Sequence, residues 1–479
     1  MSPGFALGRE EALDRLHGEE VDVFIIGGGI NGAGIARDLM LRSSHGGWGL
    51  RVALADKGHF SGGTSGRNSQ LIHGGLRYLE NLEFGLVREA LEERRTLLRI
   101  APHLVEPLPM IIPFFGMSKR LYYGTGLAVY DFLAGKDNTG RRQALSRAAV
   151  AALEPDLTRE GLHSAAVFYD CKVHSARLVL ENLFDASRRG AVIANYVQVA
   201  SWQPAEGGFE IVAEDVLSGR SWIVRAKRIV DARGPWEGGR NLRLVRGSHI
   251  IVPRLTRSGH AIAHFNDDGR ILFVIPWGSN QDLSLVGTTD VDHPGTPDDV
   301  RISAEEVAYL QRAAKRLFPA SAVDPVAAYA SLRPLVAEPG KSASSTSRAH
   351  RIWLDQEGVL KISGGKYTTY RAMSEQAVAL LFPESRQLPS TAGAPFEPSP
   401  PALPQEETVR RSVEQEMAVR LTDLLFTSTY WGHERRWTRD LLLPIASRMG
   451  ELLRWEENRV EEEIARVLTI VRMPETAAR

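Results

Sequence analysis

The chain of 479 residues has little of several things that would point to particular classes of protein. A single cysteine, Cys171, excludes an intramolecular disulfide and a cysteine-rich metal site, and we expect it to be a small packed residue. Positive and negative side chains balance to a formal net charge of zero, which argues against nucleic acid as the main partner. No run of about 18 or more apolar residues occurs, so no membrane-spanning helix is predicted. Residues 1–20 are charged and lack the apolar core of a signal peptide.

What the chain does contain is typical of a folded protein. Hydrophobic residues make up 43% of it and charged residues 24%, and its length predicts two or three domains. Two apolar stretches, residues 108–115 and 121–133, are interrupted by proline or glycine. Each belongs either to the core or to a surface that touches a membrane, and the sequence leaves both readings open.

A glycine-rich turn near the N-terminus lies between a predicted strand and a predicted helix. Residues 21–29 are an apolar run that ends in glycines, and Gly27, Gly29 and Gly32 match the pattern G-x-G-x-x-G. These glycines allow a tight turn and let a pyrophosphate approach the positive end of the helix. The next apolar run ends at Asp56, an acid placed to bind a ribose hydroxyl. The unit predicts a dinucleotide site, without deciding between NAD and FAD.

Later segments predict how the chain continues. Residues 246–290 alternate apolar and polar side chains between turns, which indicates an antiparallel sheet. Strand-like segments with glycine-rich ends recur at 228–236 and 359–371, as if the chain returned to its first sheet. Such returns favour a long cofactor such as FAD. After a proline-rich linker, residues 405–479 have leucine and isoleucine at helical spacing.

The segment QLIHGGLRYLE, residues 70–80, is unusual for its glycine pair beside a histidine and an arginine. Glycine weakens strands and helices alike, so a buried strand has no need of two. We interpret His73, Gly74 and Gly75 as backbone pressed against a flat polar group.

These and other segments occur in a familiar order. DVFIIGGGINGAGIARDL, LIHGGLRYLE, APHLVEPLPMIIP, ARLVLEN, GSHIIVPR, FVIPWG, VGTTD, SLRPL and ISGGKYTTYR follow one another between residues 20 and 385. The chain thereby resembles the FAD-dependent glycerol-3-phosphate dehydrogenases, which are D-amino-acid-oxidase-like flavoproteins. The resemblance implies an α/β fold: a Rossmann-like FAD-binding domain with an antiparallel-sheet substrate domain and a helical C-terminal domain. The implied boundaries are FAD-binding segments at 1–100, 166–240 and 346–387, a substrate or cap region at 101–165, a substrate domain at 241–345, a linker at 388–404 and a helical domain at 405–479.

The resemblance also implies a set of site residues. The cofactor-binding residues are expected to be Gly27, Gly29, Gly32, Asp56, Thr64, Ser65, Ser69, His73, Gly74, Gly75, Val199, Gly234, Gly365 and Thr368. The substrate-binding residues are expected to be Arg77, Tyr78, Arg348 and Lys366, and the catalytic residues His249 and Arg333. Cationic side chains suit a phosphate dianion, which arginine binds with two hydrogen bonds. No metal is expected.

The implied reaction is oxidation of sn-glycerol 3-phosphate to dihydroxyacetone phosphate. The C2 hydrogen leaves as hydride to flavin N5, His249 takes the hydroxyl proton because histidine titrates near neutral pH, and Arg333 stabilises the developing alkoxide. The sequence does not separate the roles of His249 and Arg333.

The expected electron acceptor is a membrane quinone, with the enzyme bound peripherally to the cytoplasmic face of the membrane, although some relatives use oxygen. A homodimer is also open. Alternatives are a flavoprotein oxidoreductase for another small hydroxy or amino acid, and a non-catalytic FAD-binding module. A flavoprotein that modifies nucleic acid is disfavoured by the zero net charge.

The chain departs from the family pattern at three places. Gln70 stands where the family often has lysine, and His174 and Ser175 stand where it often has two acids. Asp231-Ala232-Arg233 replaces the frequent Asn-Ala-Thr, which we expect to put an arginine near the pyrophosphate. The proposed phosphate-binding residues are unaffected.

Overall fold

The computed structural model describes residues 4–75, 83–135, 138–238, 242–336, 350–398 and 403–474. Its α-helices are α1 (Arg9–Gly18), α2 (Ile30–Gly46), α3 (Phe84–Ile100), α4 (Met117–Ala134), α5 (Arg147–Leu153), α6 (Ser175–Arg188), α7 (Ala304–Leu317), α8 (Tyr370–Leu381), α9 (Gln405–Glu416), α10 (Leu421–Asp423), α11 (Arg439–Leu453) and α12 (Glu457–Val471). The strands fall into two sheets, and the predicted α/β fold class is confirmed.

The first sheet has a parallel core. Its strands are β1 (Val21–Ile26), β2 (Val52–Ala55), β7 (Val192–Ala194), β8 (Val197–Ala205), β9 (Gly208–Asp215), β10 (Ser221–Asp231), β17 (His350–Leu354) and β18 (Leu360–Gly364). The order is β17-β18-β10-β1-β2-β7, and β7, β2, β1, β10 and β18 are all parallel. Alternate residues of β1 face α2 and α6 on one side, and α1 with the β8–β9–β10 meander on the other. Both faces are therefore buried, which explains the almost wholly apolar sequence of β1.

One strand differs from its prediction. The run AVIANYVQVASW at 191–202 reads as a single strand but divides into β7 and β8. Tyr196, between them, has a φ of 54°, a left-handed conformation that interrupts a regular strand. Its hydroxyl donates to Asp423 of the C-terminal region at 2.6 Å, and this contact holds the turn.

The second sheet is almost entirely antiparallel. Its strands are β3 (Leu71–Ile72), β4 (Val105–Phe115), β5 (Gln143–Ser146), β6 (Leu162–Val173), β11 (Leu242–Pro253), β12 (Ala261–Phe265), β13 (Ile271–Trp277), β14 (Leu283–Gly287), β15 (Val291–Asp292) and β16 (Ala327–Val336). One face packs against α3 and α4, and the other against α5 and α7. Residues 108–115 lie inside β4 and are mostly buried, so this apolar stretch belongs to the core. Cys171 is buried in β6, and burial raises the pKa of its thiol to about 12.

The C-terminal region is helical and has its own apolar core, built from α9, α11 and α12. The segment between α10 and α11 leaves this core and reaches the first 200 residues. There the Tyr430 hydroxyl donates to Gln70 Oε1 at 2.7 Å and lies 3.0 Å from Ser175 Oγ, while the His174 ring stacks on the Tyr430 ring. The residues at two of the three departures from the family pattern, Gln70 and the pair His174 and Ser175, thus share one contact network with Tyr430.

Candidate active site

A cavity of about 670 Å³ opens where the carboxyl ends of β1, β2 and β10 meet the second sheet. Its walls come from both sheets and from the loop at residues 56–69. The carboxyl edge of a parallel sheet is the usual ligand site in folds of this class. The predicted residues that line the cavity are Gly27, Gly29, Asp56, Thr64, Ser65, Ser69, His73, Gly75, Val199, Gly234, His249, Arg333, Gly365 and Lys366.

The glycine-rich turn lies at one end of this cavity. Gly27 has a φ of 107°, a conformation that side chains other than glycine rarely adopt. Gly32 does not line the cavity, because it is packed against the turn. A Cβ atom on Gly32 would lie 1.9 Å from the carbonyl oxygen of Gly27. The turn brings the N-terminus of α2 to the cavity wall at Ile30 and Asn31, where helix amides attract anions.

Asp56 follows β2 directly and closes the turn. Its Oδ2 accepts the Gly28 amide at 2.7 Å, and its Oδ1 accepts the Gly58 amide at 2.8 Å. Burial raises the pKa of this carboxyl group, while the two amides act in the opposite direction. Each oxygen keeps a second lone pair, so a ribose hydroxyl has an acceptor here.

The loop at residues 61–69 connects the two ends of the cavity. Ser65 Oγ accepts the Ile30 amide of α2 at 2.9 Å, and the Thr64 hydroxyl donates to the carbonyl oxygen of Leu332 in β16. Ser69 Oγ lies 2.8 Å from His249 Nε2. Three serine and threonine side chains therefore connect this loop to α2 and to the second sheet.

The HGG segment presents its three residues differently. His73 and Gly75 line the cavity, and Gly75 has a φ of 76°. Gly74 faces the other way: its amide donates to the Tyr130 hydroxyl at 2.9 Å, and a Cβ atom there would lie 2.2 Å from that oxygen. Thr368 is buried beside the segment, and its hydroxyl accepts the His73 amide at 3.2 Å. Thus Gly74 and Thr368 hold the segment from behind.

Arg233 lines the cavity, but its guanidinium is engaged within the chain. Nε and Nη2 donate to the two carboxylate oxygens of Asp231 at 2.8 and 2.7 Å. Lys361 Nζ adds a third contact to the same carboxylate at 3.2 Å. The hydrogen bonds from Arg233 and the charge of Lys361 hold the pKa of buried Asp231 below its usual value against the effect of burial. The positive charge of Arg233 therefore compensates the negative charge of buried Asp231.

His249 lies at the other end of the cavity, on β11. Its ring is buried, stacks on Tyr329 with a centroid distance of 5.0 Å, and packs on Gly287. Nδ1 is fully buried and has no hydrogen-bond partner within the described part of the chain. Burial, and then the charges of Arg333 and His433, lower the pKa of His249 to about 3, so the imidazole is neutral near pH 7.

Arg333 lies on β16, the antiparallel neighbour of β11. In this ladder Arg333 is opposite Val245 and Tyr329 is opposite His249. The guanidinium donates to the Thr289 carbonyl oxygen and to Asp290 Oδ1, both at 3.0 Å, and to the Thr288 hydroxyl at 2.8 Å. These contacts fix the plane of a cation that lines the cavity.

The remaining predicted substrate residues are only partly visible. Lys366 lines the cavity, and its Nζ donates to the Leu86 carbonyl oxygen at 3.3 Å. Arg77, Tyr78 and Arg348 lie outside the described residues. Within the described ranges, no group of three histidine, cysteine, aspartate or glutamate side chains is arranged to hold a metal ion.

Sequence reasoning missed several residues of the site. Tyr329 supports the His249 ring, and its own hydroxyl donates to the Asn68 carbonyl oxygen at 2.7 Å. Phe265 and Phe273, on β12 and β13, form an apolar wall beside the catalytic candidates. The strand alternation around these residues predicted only a sheet, because the face that meets the cavity depends on how two sheets pack together.

Comparison with known proteins gives a consistent result. The family model described as FAD dependent oxidoreductase matches residues 22–370. The chain is 34% identical to the aerobic glycerol-3-phosphate dehydrogenase of Bacillus subtilis, over 78% of this chain and 69% of that protein. It is 36% identical to the D-erythritol 1-phosphate dehydrogenase of Brucella abortus, over 75% of this chain and 73% of that protein.

Solved structures share the fold. The glycerol-3-phosphate dehydrogenase of Bacillus halodurans complexed with FAD superimposes with a TM-score of 0.76, at 24% identity, over 98% of each chain. The FAD-bound L-α-glycerophosphate oxidase of Mycoplasma pneumoniae gives a TM-score of 0.61, at 18% identity, over 76% of this chain and 95% of that one. At these identities the similarity to the two structures establishes the shared fold alone.

Proposed function

Because the chain belongs to the family of FAD-dependent oxidoreductases, we propose that it oxidises sn-glycerol 3-phosphate to dihydroxyacetone phosphate. Family membership confirms the prediction of FAD as the cofactor. The observation that carries the substrate proposal is the meeting of His249 and Arg333, from neighbouring strands, in the cavity that begins at the glycine-rich turn. Relatives that are 33–34% identical and named aerobic glycerol-3-phosphate dehydrogenase support it.

The cavity fits the cofactor at both ends. The glycine turn leaves room for a pyrophosphate at the N-terminus of α2, and Asp56 offers acceptors to a ribose. The HGG backbone and Gly365, which has a φ of 84°, form flat walls farther along. FAD, when bound, supplies the two-electron acceptor for the hydrogen that leaves C2 of the substrate.

His249 is the proposed general base. Its Nε2 is the nitrogen within reach of the Ser69 hydroxyl, whereas Nδ1 is fully buried. A neutral imidazole accepts the proton of the substrate hydroxyl at Nε2, directly or through Ser69. A bound phosphate dianion favours the charged imidazolium and so raises the low pKa of His249 in the complex.

Arg333 and Lys366 are proposed to position and stabilise the substrate. Arg333 is held by Thr288, Thr289 and Asp290, so its charge needs no reorganisation when negative charge develops on the C2 oxygen. Lys366 is proposed to bind the phosphate group with Arg77, Tyr78 and Arg348, which remain predictions from the sequence.

The test is anaerobic reduction of the bound flavin by glycerol 3-phosphate in a stopped-flow spectrometer. We expect rapid bleaching in the wild type and a rate about 10²–10⁴ lower in His249→Gln, at unchanged FAD content. His163→Gln, on an exposed histidine, is the control. Wild-type rates in His249→Gln would exclude this residue as the base. No bleaching of a protein that dithionite does reduce would exclude the substrate.

D-erythritol 1-phosphate is the second candidate substrate. It also carries a phosphate group and secondary hydroxyl groups, and the chain is 36% identical to a dehydrogenase named for it. The same experiment with both compounds decides between them through the ratio of kcat/KM. A ratio above about 10 in favour of D-erythritol 1-phosphate would reverse the proposal.

We further propose that the electrons pass to a membrane quinone and that α4 contacts the lipid. Its side chains Leu121, Tyr122 and Phe132 are 74%, 59% and 84% exposed. On the inner side of the same helix, Tyr130 bonds Gly74 of the HGG segment, so the apolar surface lies close to the site. None of the described helices meets the length and hydropathy needed to cross a bilayer.

Vesicle co-sedimentation and quinone reduction test this contact. We expect the double variant Leu121→Ser, Phe132→Ser to lose vesicle binding and quinone activity while flavin reduction persists. Ile223→Ser, on an apolar side chain of β10 that is 55% exposed, is the control. Equal vesicle binding by both variants would refute the contact, and stoichiometric peroxide release in air would favour oxygen as the acceptor.

A further inference from the structure

A second cavity, of about 250 Å³, lies on the other side of the loop at residues 61–69. It shares part of its wall with the main cavity, namely Gly62, Gly63, Thr64, Pro235, Trp236 and Ser331. Its remaining lining comes from the loop at 297–301, from β16 and from Ile470 near the end of α12. Of the catalytic and substrate-binding candidates, the three that the structure describes, His249, Arg333 and Lys366, do not line it.

Arg67 lines this second cavity and is partly buried. It has no hydrogen bond or ion pair with any residue in the described ranges. Burial, and then the charge of Arg301, lower the pKa of Arg67. Its other titratable neighbour, His433, is neutral near pH 7, because burial and then the charge of Arg67 lower the pKa of His433 to about 3. Buried charges in proteins are normally paired, because an unpaired one costs several kcal/mol or more.

Other buried arginines of this chain follow that rule. Arg37 and Arg94 each contact an aspartate carboxylate at 2.7 Å, and Arg371 donates to Glu93 at 2.9 Å. Arg67, which is only partly buried, has no carboxylate partner within the described ranges. It lines the second cavity instead of contacting a carboxylate.

Arg301 also lines this cavity and is exposed, again without an ion pair in the described part of the chain. One carboxylate, Asp298, is also in the lining, but it is already engaged. Asp298 Oδ1 accepts from Lys57 Nζ at 2.8 Å and from Trp236 Nε1 at 2.9 Å. The hydrogen bonds from Lys57 and Trp236 hold its pKa below its usual value, against the effect of burial. It therefore does not neutralise the two arginines.

We propose that this cavity is a second anion site, which binds a small phosphate-bearing ligand between Arg67 and Arg301. Arginine binds phosphate through paired hydrogen bonds, and the Ser331 hydroxyl in the shared wall is a further donor. The volume admits inorganic phosphate or a phosphorylated compound of a few carbons. The site is proposed as separate from the substrate pocket, since His249, Arg333 and Lys366, the described residues of that pocket, lie outside its lining.

Calorimetric titration of the FAD-loaded enzyme with inorganic phosphate tests the site. We expect two phosphates per chain in the wild type, one in the substrate pocket and one in the second cavity. Arg67→Gln and Arg301→Gln should each weaken the second binding event about 10- to 100-fold, the worth of one charge-assisted contact. Arg312→Gln, on an exposed arginine outside the cavity, should retain both events.

Two further experiments identify which phosphate compound the site binds and whether the site is distinct from the cofactor site. Repeating the titration with glycerol 3-phosphate, under anaerobic conditions, shows whether a substrate-like ester or free phosphate is preferred. Equal binding by all four proteins would refute the site. The proposal would also be refuted if Arg301→Gln weakened phosphate binding only in the FAD-free protein. The cavity would then be part of the cofactor site. Arg301→Gln should reduce its flavin with glycerol 3-phosphate at the wild-type rate when phosphate is absent.

Discussion

The two ends of the main cavity recognise their ligands by different means. The end at the glycine turn consists mainly of backbone, namely the glycines of the turn and the N-terminus of α2, with one side chain, the Asp56 carboxylate, which accepts two backbone amides. The end at His249 is made of side chains from three remote segments, at residues 69, 249 and 333. A site built from backbone can be recognised from consecutive residues in the sequence. A site built from side chains of distant segments forms only when the two sheets pack together.

The first prediction removes the backbone end. Gly32→Ala places a Cβ atom 1.9 Å from the Gly27 carbonyl oxygen, a clash between two backbones that no side-chain movement relieves. We expect loss of FAD and a destabilisation of about 3 kcal/mol, the upper end of overpacking. The flavin absorbance per chain and thermal unfolding measure both effects. Gly85→Ala is the control, since no atom lies within 4 Å of its Cβ position. Normal flavin content in Gly32→Ala would contradict the assignment of this turn.

The second prediction removes the side-chain end and spares the backbone end. Arg333→Met should lower the rate of flavin reduction by glycerol 3-phosphate about 10²–10³-fold, the effect of losing one fixed donor to developing negative charge. FAD content should stay that of the wild type. Arg243→Met, which breaks the bidentate pair with Asp292 on the same sheet, is the matched control and should be fully active. Loss of FAD in Arg333→Met would show that the two ends are not separable.

A third prediction is a milder change at the backbone end. Asp56→Asn retains the shape but turns an amide NH₂ towards one of two backbone amides, so one buried donor loses its acceptor. This costs about 1–3 kcal/mol, or roughly 5- to 150-fold in the dissociation constant for FAD. Equilibrium dialysis measures it. Asp22→Asn, at the opposite end of β1, also loses an acceptor for a backbone amide and should bind FAD normally.

The smallest expected effect concerns pH. Burial, and then Arg177, lower the pKa of His174 to about 3, against about 6.5 in the unfolded chain. Between these values the unfolded state binds one more proton, so stability falls as the pH is lowered through this window. At pH 5.5 this protonation of the unfolded state lowers the free energy of unfolding by about 1.4 kcal/mol relative to high pH. In His174→Asn the amide oxygen can replace His174 Nδ1 as the acceptor that caps α6. The free energy of unfolding of this variant should depend less steeply on pH, by the binding of one proton. An unchanged slope would show that His174 titrates normally.

The residues explain what sequence alone predicted and what it did not. The β1–α2–β2 unit, the antiparallel strands between residues 246 and 290 and the helices after residue 405 all follow from the apolar patterns of the sequence. His249 and Arg333 were identified only through resemblance, because nothing in their local sequence shows that β11 and β16 are neighbours. The break at Tyr196 and the inward contact of Tyr430 depend on the C-terminal region, and local patterns carry no trace of such distant contacts.

The contact of Tyr430 with Gln70 and Ser175 bears on the order in which the protein assembles. The three residues are separated by 360 and 255 positions, so their hydrogen bonds close very long loops. Synthesis proceeds at about 5–20 residues per second, so some tens of seconds separate the synthesis of Gln70 from that of Tyr430. A nascent chain that has already paired β1 with β2 therefore lacks the support that Tyr430 gives to Gln70, next to the loop at residues 61–69, until residue 430 has been made.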